Sequence, residues 1–313
     1  MQQQPPFDSA LPEPPSSRRR RRDPSPIGRQ PNRWGWGFVT LSIILITLLV
    51  FVPMVQSFWL SLQSGMGNQL SFAGLDNYKR LFGDATFLKA LGNTFIYLII
   101  QVPVMIILAL MISVMLNNPK LKGRSFFRMA IFLPCVTSLV SYSLIMKSIF
   151  SGEGLVNRLL LALHLIEAPI GWTTDSLFAK VLIILSITWR WTGYNMIFYL
   201  SGLQNIDPSI YEAADLDGCS AVQKFFKITV PQLRPIILFT TITSTIGTLQ
   251  LFDEVQNITN GGPANATLSI SQYIYNLCFK YSPNFGYAAA VAFVVLVMIA
   301  ILSAIQLKVG GKG

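Results

Sequence analysis

Long uncharged runs dominate the chain. Residues 34–75, 90–119, 129–146, 235–252 and 281–307 contain no Asp, Glu, Lys or Arg. A helix of about 20 apolar residues crosses a bilayer core, so these runs predict spans near 37–62, 93–117, 127–149, 236–256 and 286–307. A sixth span, near 179–203, is interrupted in its middle by Arg190. Residues 255–279 are also uncharged, but Gln256–Ser271 is crowded with Asn, Thr, Gly and Ser, and that stretch predicts a loop. The expected fold class is all-α integral membrane, with six transmembrane helices in one domain over 34–313. A tail at 1–33, rich in Pro, Gln, Ser and Arg, precedes it and reads as disordered.

Six spans put both termini on one side, and the Lys/Arg bias chooses the side. With both termini cytoplasmic, the inner segments hold 16 Lys/Arg against 7 outside. The tail contributes seven of the 16, including the run Arg18–Arg22. The expected topology is N-in/C-in.

Composition narrows the class further. Of 313 residues, 52% are hydrophobic and only 12% are charged, about half the charged share of soluble domains. That excludes a soluble globular enzyme. Arg18–Arg22 supply five of the positive charges behind the net +10 from within a Pro-rich tail, so that charge does not describe a folded nucleic-acid surface. Three scattered cysteines (Cys135, Cys219, Cys278) and a single histidine, His164, argue against a disulfide framework or a metal centre.

The most informative stretch is 207–231. Asp207 is a good N-cap with Pro208 at the first helical position. Gly218 suits a left-handed helix stop. Ser220 followed by Gln223 reads as a capping box opening a second helix, whose apolar stripe is Val222, Phe225 and Phe226. The pattern predicts helix–Gly–helix along the cytoplasmic face, with small Ala213 and Ala214 permitting close approach.

Glu212-Ala213-Ala214, then Gly218, then Ile228-Thr229-Val230-Pro231 resembles the cytoplasmic signature of permease subunits of ATP-binding-cassette importers. Val230 stands where Leu is usual. Phe72–Tyr78, Asn93-Thr94, Gly202-Leu203-Gln204, Thr259–Pro263, Tyr273-Ile274-Tyr275 and Phe285-Gly286-Tyr287 resemble, in this order, the carbohydrate branch of the maltose and glycerol-3-phosphate type. The resemblance covers about 35–308. It implies that 207–231 couples the permease to an ATPase, with Glu212, Ala213, Ala214 and Gly218 in contact and Tyr211, Asp217 and Phe225 beside them. It also implies a second homologous permease subunit, an ATPase dimer that binds ATP and Mg, an extracytoplasmic solute-binding protein, a carbohydrate substrate and the inner membrane of a bacterium. No cofactor and no nucleic acid are expected for this chain.

No Gly-x-x-x-x-Gly-Lys-Ser/Thr phosphate loop occurs in the sequence, so ATP hydrolysis is expected elsewhere and the chain reads as no enzyme. The alternatives are a self-sufficient carrier or channel, which calls for an internal repeat or intramembrane carboxylates, and a membrane enzyme, which calls for a catalytic cluster. For the substrate pathway the candidates are Arg190, Asn195, Ser244, Thr248, Gln250 and Asp253. The hydroxyl-rich fifth span suits sugar hydrogen bonding, and it equally suits helix packing. Arg190 has three readings: an anion or sugar contact beside Trp189 and Trp191, a structural partner of Asp253, or an interfacial snorkel.

Overall fold

A computed structural model describes residues 33–67 and 69–311. Apart from Arg33, the expected basic tail lies outside the described residues, as does Lys312. The chain divides between Pro53 and Met54 into two units. The first contains the start of helix α1 (Gly35–Ser61). The second opens with the end of that helix and a short antiparallel hairpin, β1 (Gln63–Met66) and β2 (Gln69–Phe72), with Gln63 opposite Phe72. Helices follow: α2 (Asp76–Gly83), α3 (Ala85–Asn117), α4 (Arg124–Val136), α5 (Leu139–Ile149), α6 (Leu155–Ala162), α7 (Ser176–Gln204), α8 (Pro208–Leu216), α9 (Ala221–Lys224), α10 (Arg234–Leu249), α11 (Ile270–Tyr275) and α12 (Phe285–Gly310).

Among the described residues, α1, α3 and α12 are each long and apolar enough to cross a membrane, and α4 with α5 supplies a fourth crossing if the bent pair is one span. The 29-residue α7 carries Lys180 and Arg190. At 33 residues, α3 is about 50 Å long, well beyond a bilayer core of about 30 Å.

Two of the expected straight spans differ. The stretch 127–149 is broken, with α5 turned by 106° from α4. Pro134 lies in the last turn of α4, and Thr137 beyond it is extended at φ −71° and ψ 150°. Proline supplies no N–H and crowds the turn before it, so the helix ends and the chain turns. The stretch 236–256 stops at Leu249. There the Leu251 carbonyl accepts from Ser269 Oγ at 2.6 Å, and after this break the chain is helical again over 253–259.

That loop is not a solvated connector. Thr267, Leu268, Ser269 and Ile270 are all buried. Its backbone bonds to α3: Asn93 Nδ2 donates to the carbonyls of Asn265 (3.1 Å) and Leu268 (3.0 Å). Tyr97 Oη donates to Thr267 O at 2.9 Å, and Ile270 N donates to Thr94 Oγ1 at 3.2 Å. Buried backbone groups must find partners, and asparagine, with donors and acceptors on a short arm, recurs in that role. Asn77 Nδ2 donates to Ser61 O (2.8 Å) and Gln63 O (2.7 Å). Asn157 binds Ile170 through both carbonyl (3.0 Å) and amide (3.1 Å) and accepts from Trp172 Nε1 at 3.1 Å.

The apolar core forms three clusters. One joins α2, α3, α11 and α12 around Phe87, Tyr273 and Tyr287. A second joins α7 to Leu251, Val255 and Ile258. The third joins α3, α7 and Leu233 around Met196 and Tyr199.

Asp84 ties the first cluster together. It caps α3 by accepting from the amides of Thr86 (2.9 Å) and Phe87 (3.2 Å), and it also accepts from Tyr273 Oη and from Tyr287 Oη, the latter at 2.7 Å. Burial pushes its carboxyl up, but these four hydrogen bonds outweigh burial and hold it below the usual carboxylate value. Asp84→Asn is expected to lower the thermal unfolding midpoint of the detergent-solubilised protein at pH 7. A group with a depressed pKa stabilises above its unfolded value and loses that contribution as pH falls through the folded one. The gap between wild type and variant should therefore narrow below about pH 4, and a gap independent of pH would contradict the role given to the carboxylate.

Candidate functional site

The segment 207–231 folds as two short helices about a glycine. Asp207 caps α8 by accepting from Ser209 N at 2.9 Å. Gly218 ends it at φ +72°, where Cys219 N donates to Ala214 O (2.9 Å) and Gly218 N to Asp215 O (3.1 Å). These two bonds are the paired closure of a glycine-stopped helix. Ser220 and Gln223 complete a reciprocal capping box, with Ser220 N donating to Gln223 Oε1 at 2.8 Å and Gln223 N donating to Ser220 Oγ at 3.3 Å.

Two side-chain contacts clasp the arms together. Tyr211 Oη and Thr229 Oγ1 are 2.9 Å apart, and Lys224 Nζ pairs with Asp215 at 2.5 Å. Glu212, Ala213, Asp217 and Gly218 are exposed, as are Leu216, Val222 and Phe226. Ala214 faces inward. Tyr211 is half-buried, and Phe225 packs on the third core cluster. The two adjacent alanines thus point opposite ways, a distinction that composition alone does not reveal.

A cavity of about 190 Å³ lies between α3, α7 and α10, lined by Gln101, Trp191, Tyr194, Thr243, Ser244, Gly247 and Thr248. None of these side chains is charged. Thr248 Oγ1 donates to Gln101 Oε1 at 3.0 Å, so one hydroxyl and one amide are pre-aligned on its wall. Ser244 and Thr248, expected from the sequence, line the cavity. Gln250 is exposed and Asp253 half-buried, and neither contributes to the lining. Asn195 is buried, with Nδ2 donating to Trp191 O at 2.9 Å and contacting Met105 Sδ at 3.2 Å. Gln101 and Tyr194 are additions. Gln101 had a signal, being the one amide side chain between Asn93 and Asn117.

Arg190 does not pair with Asp253. Its Nη1 donates to Pro134 O (2.7 Å) and Thr137 O (3.3 Å), and its Nη2 to Cys135 O and Thr137 O (both 3.3 Å). The guanidinium therefore sits on the carbonyls where α4 stops, of which Pro134 O also accepts from Thr137 Oγ1 at 2.9 Å. Glu254, buried at 4% exposure, lies within electrostatic range of Arg190, with no salt bridge between them among the described residues. Among the described residues no group of three or more His, Cys, Asp or Glu side chains is gathered for a metal.

Residues 83–310 match the model of the family described as the binding-protein-dependent transport system inner membrane component. The chain belongs to this family. The lactose transport system permease protein of Rhizobium radiobacter is 57% identical over 274 residues, covering 87% of this chain and 92% of that protein. The arabinooligosaccharides transport system permease protein of Bacillus subtilis (strain 168) is 35% identical, covering 87% of each. Among solved structures, a bacterial ABC transporter that imports the acidic polysaccharide alginate shares the fold, with a TM-score of 0.79 at 21% identity over 90% of this chain and 96% of that one. A second structure of an alginate transporter, in complex with an alginate pentasaccharide-bound periplasmic protein, gives 0.77 at 22% identity over 88% of this chain and 92% of that one. These relatives are permease components, not enzymes.

In this permease component α4 and α7 meet backbone to backbone. A Cβ on Gly193 would stand 2.2 Å from Ile131 O and 3.3 Å from Cys135 Sγ. Gly193→Val is expected to force the two helices apart, costing about 1–3 kcal/mol or more. The check is a lower thermal midpoint of the purified protein, and an unchanged midpoint would contradict the close approach.

Proposed function

We propose that this chain is one of two homologous membrane subunits of an ATP-driven sugar importer in the bacterial inner membrane. In this reading it crosses the membrane six times with both termini inside. The loop 207–231 faces the cytoplasm and docks on a separate ATPase dimer, which binds ATP and Mg. Glu212, Ala213, Asp217 and Gly218 supply the exposed contact, while Tyr211, Ala214 and Phe225 brace the loop against the permease. Closure of the ATPase pulls the clasped helices and rocks the bundle between inward- and outward-facing forms. An extracytoplasmic binding protein delivers the sugar. The alginate-transporter complex with its periplasmic protein supports that partner by analogy.

The observation that carries this reading is the clasped helix–Gly–helix with its exposed Glu212-Ala213 face. An ordinary connector needs neither two caps, a left-handed stop and two cross-links nor an exposed rim of Leu216 and Glu212.

For substrate we propose a neutral di- or oligosaccharide of about lactose size. The uncharged cavity supports this, offering hydroxyls, an amide and two aromatic faces (Trp191 and Tyr194) of the kind that bind sugar rings. Arg190 supports it too, because its donors are spent on carbonyls rather than held for an anion. The names of the lactose and arabinooligosaccharide relatives agree.

The test is uptake of labelled lactose into proteoliposomes holding the full complex and its binding protein, with and without enclosed ATP. Uptake should require ATP, and ATP-independent uptake would favour a self-sufficient carrier. In the same assay Gly218→Pro, which fixes φ near −65° where the loop needs a positive value, should reduce transport to background while the subunits still co-purify. Wild-type transport in that variant would refute the coupling role.

A further inference from the structure

The cavity has a wall whose position depends on a residue outside it. Resting on the sugar-pathway reading above, we propose that Arg190 is a positioning residue. It locks the bend between α4 and α5 onto α7 and so fixes where Trp191 and Tyr194 stand in the cavity.

The need for such a lock follows from the bend. The last carbonyls of a helix have no intrahelical donor, and in an apolar, membrane-type bundle water is not at hand to replace one. Arg190 delivers four N–H contacts, to two of these carbonyls, Pro134 and Cys135, and to that of Thr137 just beyond the helix. The planar guanidinium spreads its donors as a fork, whereas a lysine ammonium is a point and cannot span the same set.

The attachment is reciprocal. Cys135 Sγ donates back to the Arg190 carbonyl at 2.8 Å. Gly193 lets the α4 backbone approach less than one turn further along α7. The other arm of the bend is tied as well: Tyr142 Oη donates to Ser186 O at 2.8 Å, and the Arg190 guanidinium lies 5.4 Å from the Tyr142 ring centroid. Both arms are therefore fastened to α7 between residues 186 and 193. Trp191, within this stretch, and Tyr194, just after it, are packed edge to face at 5.5 Å and line the cavity. A shift of α7 against the bend carries this aromatic pair with it, because both residues stand on α7.

Cys135 offers a built-in reporter, with Cys219 and Cys278 as controls elsewhere in the fold. In the reconstituted complex, alkylation of each cysteine by N-ethylmaleimide is followed by peptide mass spectrometry for wild type, Arg190→Lys and Arg190→Met. Losing the charged hydrogen bonds in Arg190→Met should speed alkylation of Cys135 by about tenfold and leave Cys219 and Cys278 at wild-type rates. Arg190→Lys should fall between. Unchanged labelling of Cys135, or an equal rise at all three cysteines, overturns the lock.

Uptake is then measured per assembled complex for lactose and for a galactosyl trisaccharide. If Arg190 sets the aromatic wall, the trisaccharide-to-lactose ratio changes in Arg190→Met. A defect of assembly alone lowers both rates and keeps the ratio, and that outcome overturns the positioning role. If wild type moves neither sugar, the sugar reading fails while the Cys135 result still decides the lock.

Discussion

Every interruption of a helix in an apolar bundle exposes backbone groups that water cannot reach, and something in the chain must meet them. This constraint organises the fold. Arg190 meets it at the α4–α5 bend. Asn93, Thr94 and Tyr97 meet it where 265–270 folds against α3. Asn157 meets it beneath the 151–172 connection, and Asn77 meets it at the turn after α1. Each is a polar side chain in a setting that favours apolar ones, and each bonds to backbone groups, Asn157 adding the Trp172 indole. The irregular segments are thereby tied to the helices by these hydrogen bonds.

The same constraint explains what could be read from the chain and what could not. Local signals were plain. Asp207, Pro208, Gly218, Ser220 and Gln223 each perform by short-range geometry the capping or stopping that their identities imply, because caps depend on neighbours within four residues. The apolar runs at 93–117 and 286–307 fall inside α3 and α12, since composition alone decides them. Interruptions were harder. Pro134 was visible, but a proline within a span can kink a helix or end it, and the choice here depends on Arg190, 56 residues away in sequence. The stop at Leu249 depends on Ser269 in the same manner. The polar stretch after Gln256 read as a loop, and 260–269 is one; its burial was not legible because its partners, Asn93 and Tyr97, lie more than 160 residues earlier.

The cavity was half legible. Ser244 and Thr248 stood out as hydroxyls in an apolar run, and they do line it. Gln101 and Tyr194 join them only because α3 and α7 pack side by side, a pairing with no signature in either helix. Gln250 and Asp253 looked equally suitable, but the helix ends before them and carries them away from the lining. Arg190 drew notice as a charge out of place. Its role became clear only from the carbonyls around it.

The neighbouring alanines of α8 carry one more consequence. Ala214 is covered by the permease itself, whereas Ala213 looks outward beside Glu212. Enlarging the first would injure the chain in isolation, before any other protein is met. Enlarging the second would leave the isolated chain sound and be felt only by whatever body settles on that face. A pair of residues alike in chemistry and adjacent in sequence thus divides its sensitivity between self and partner.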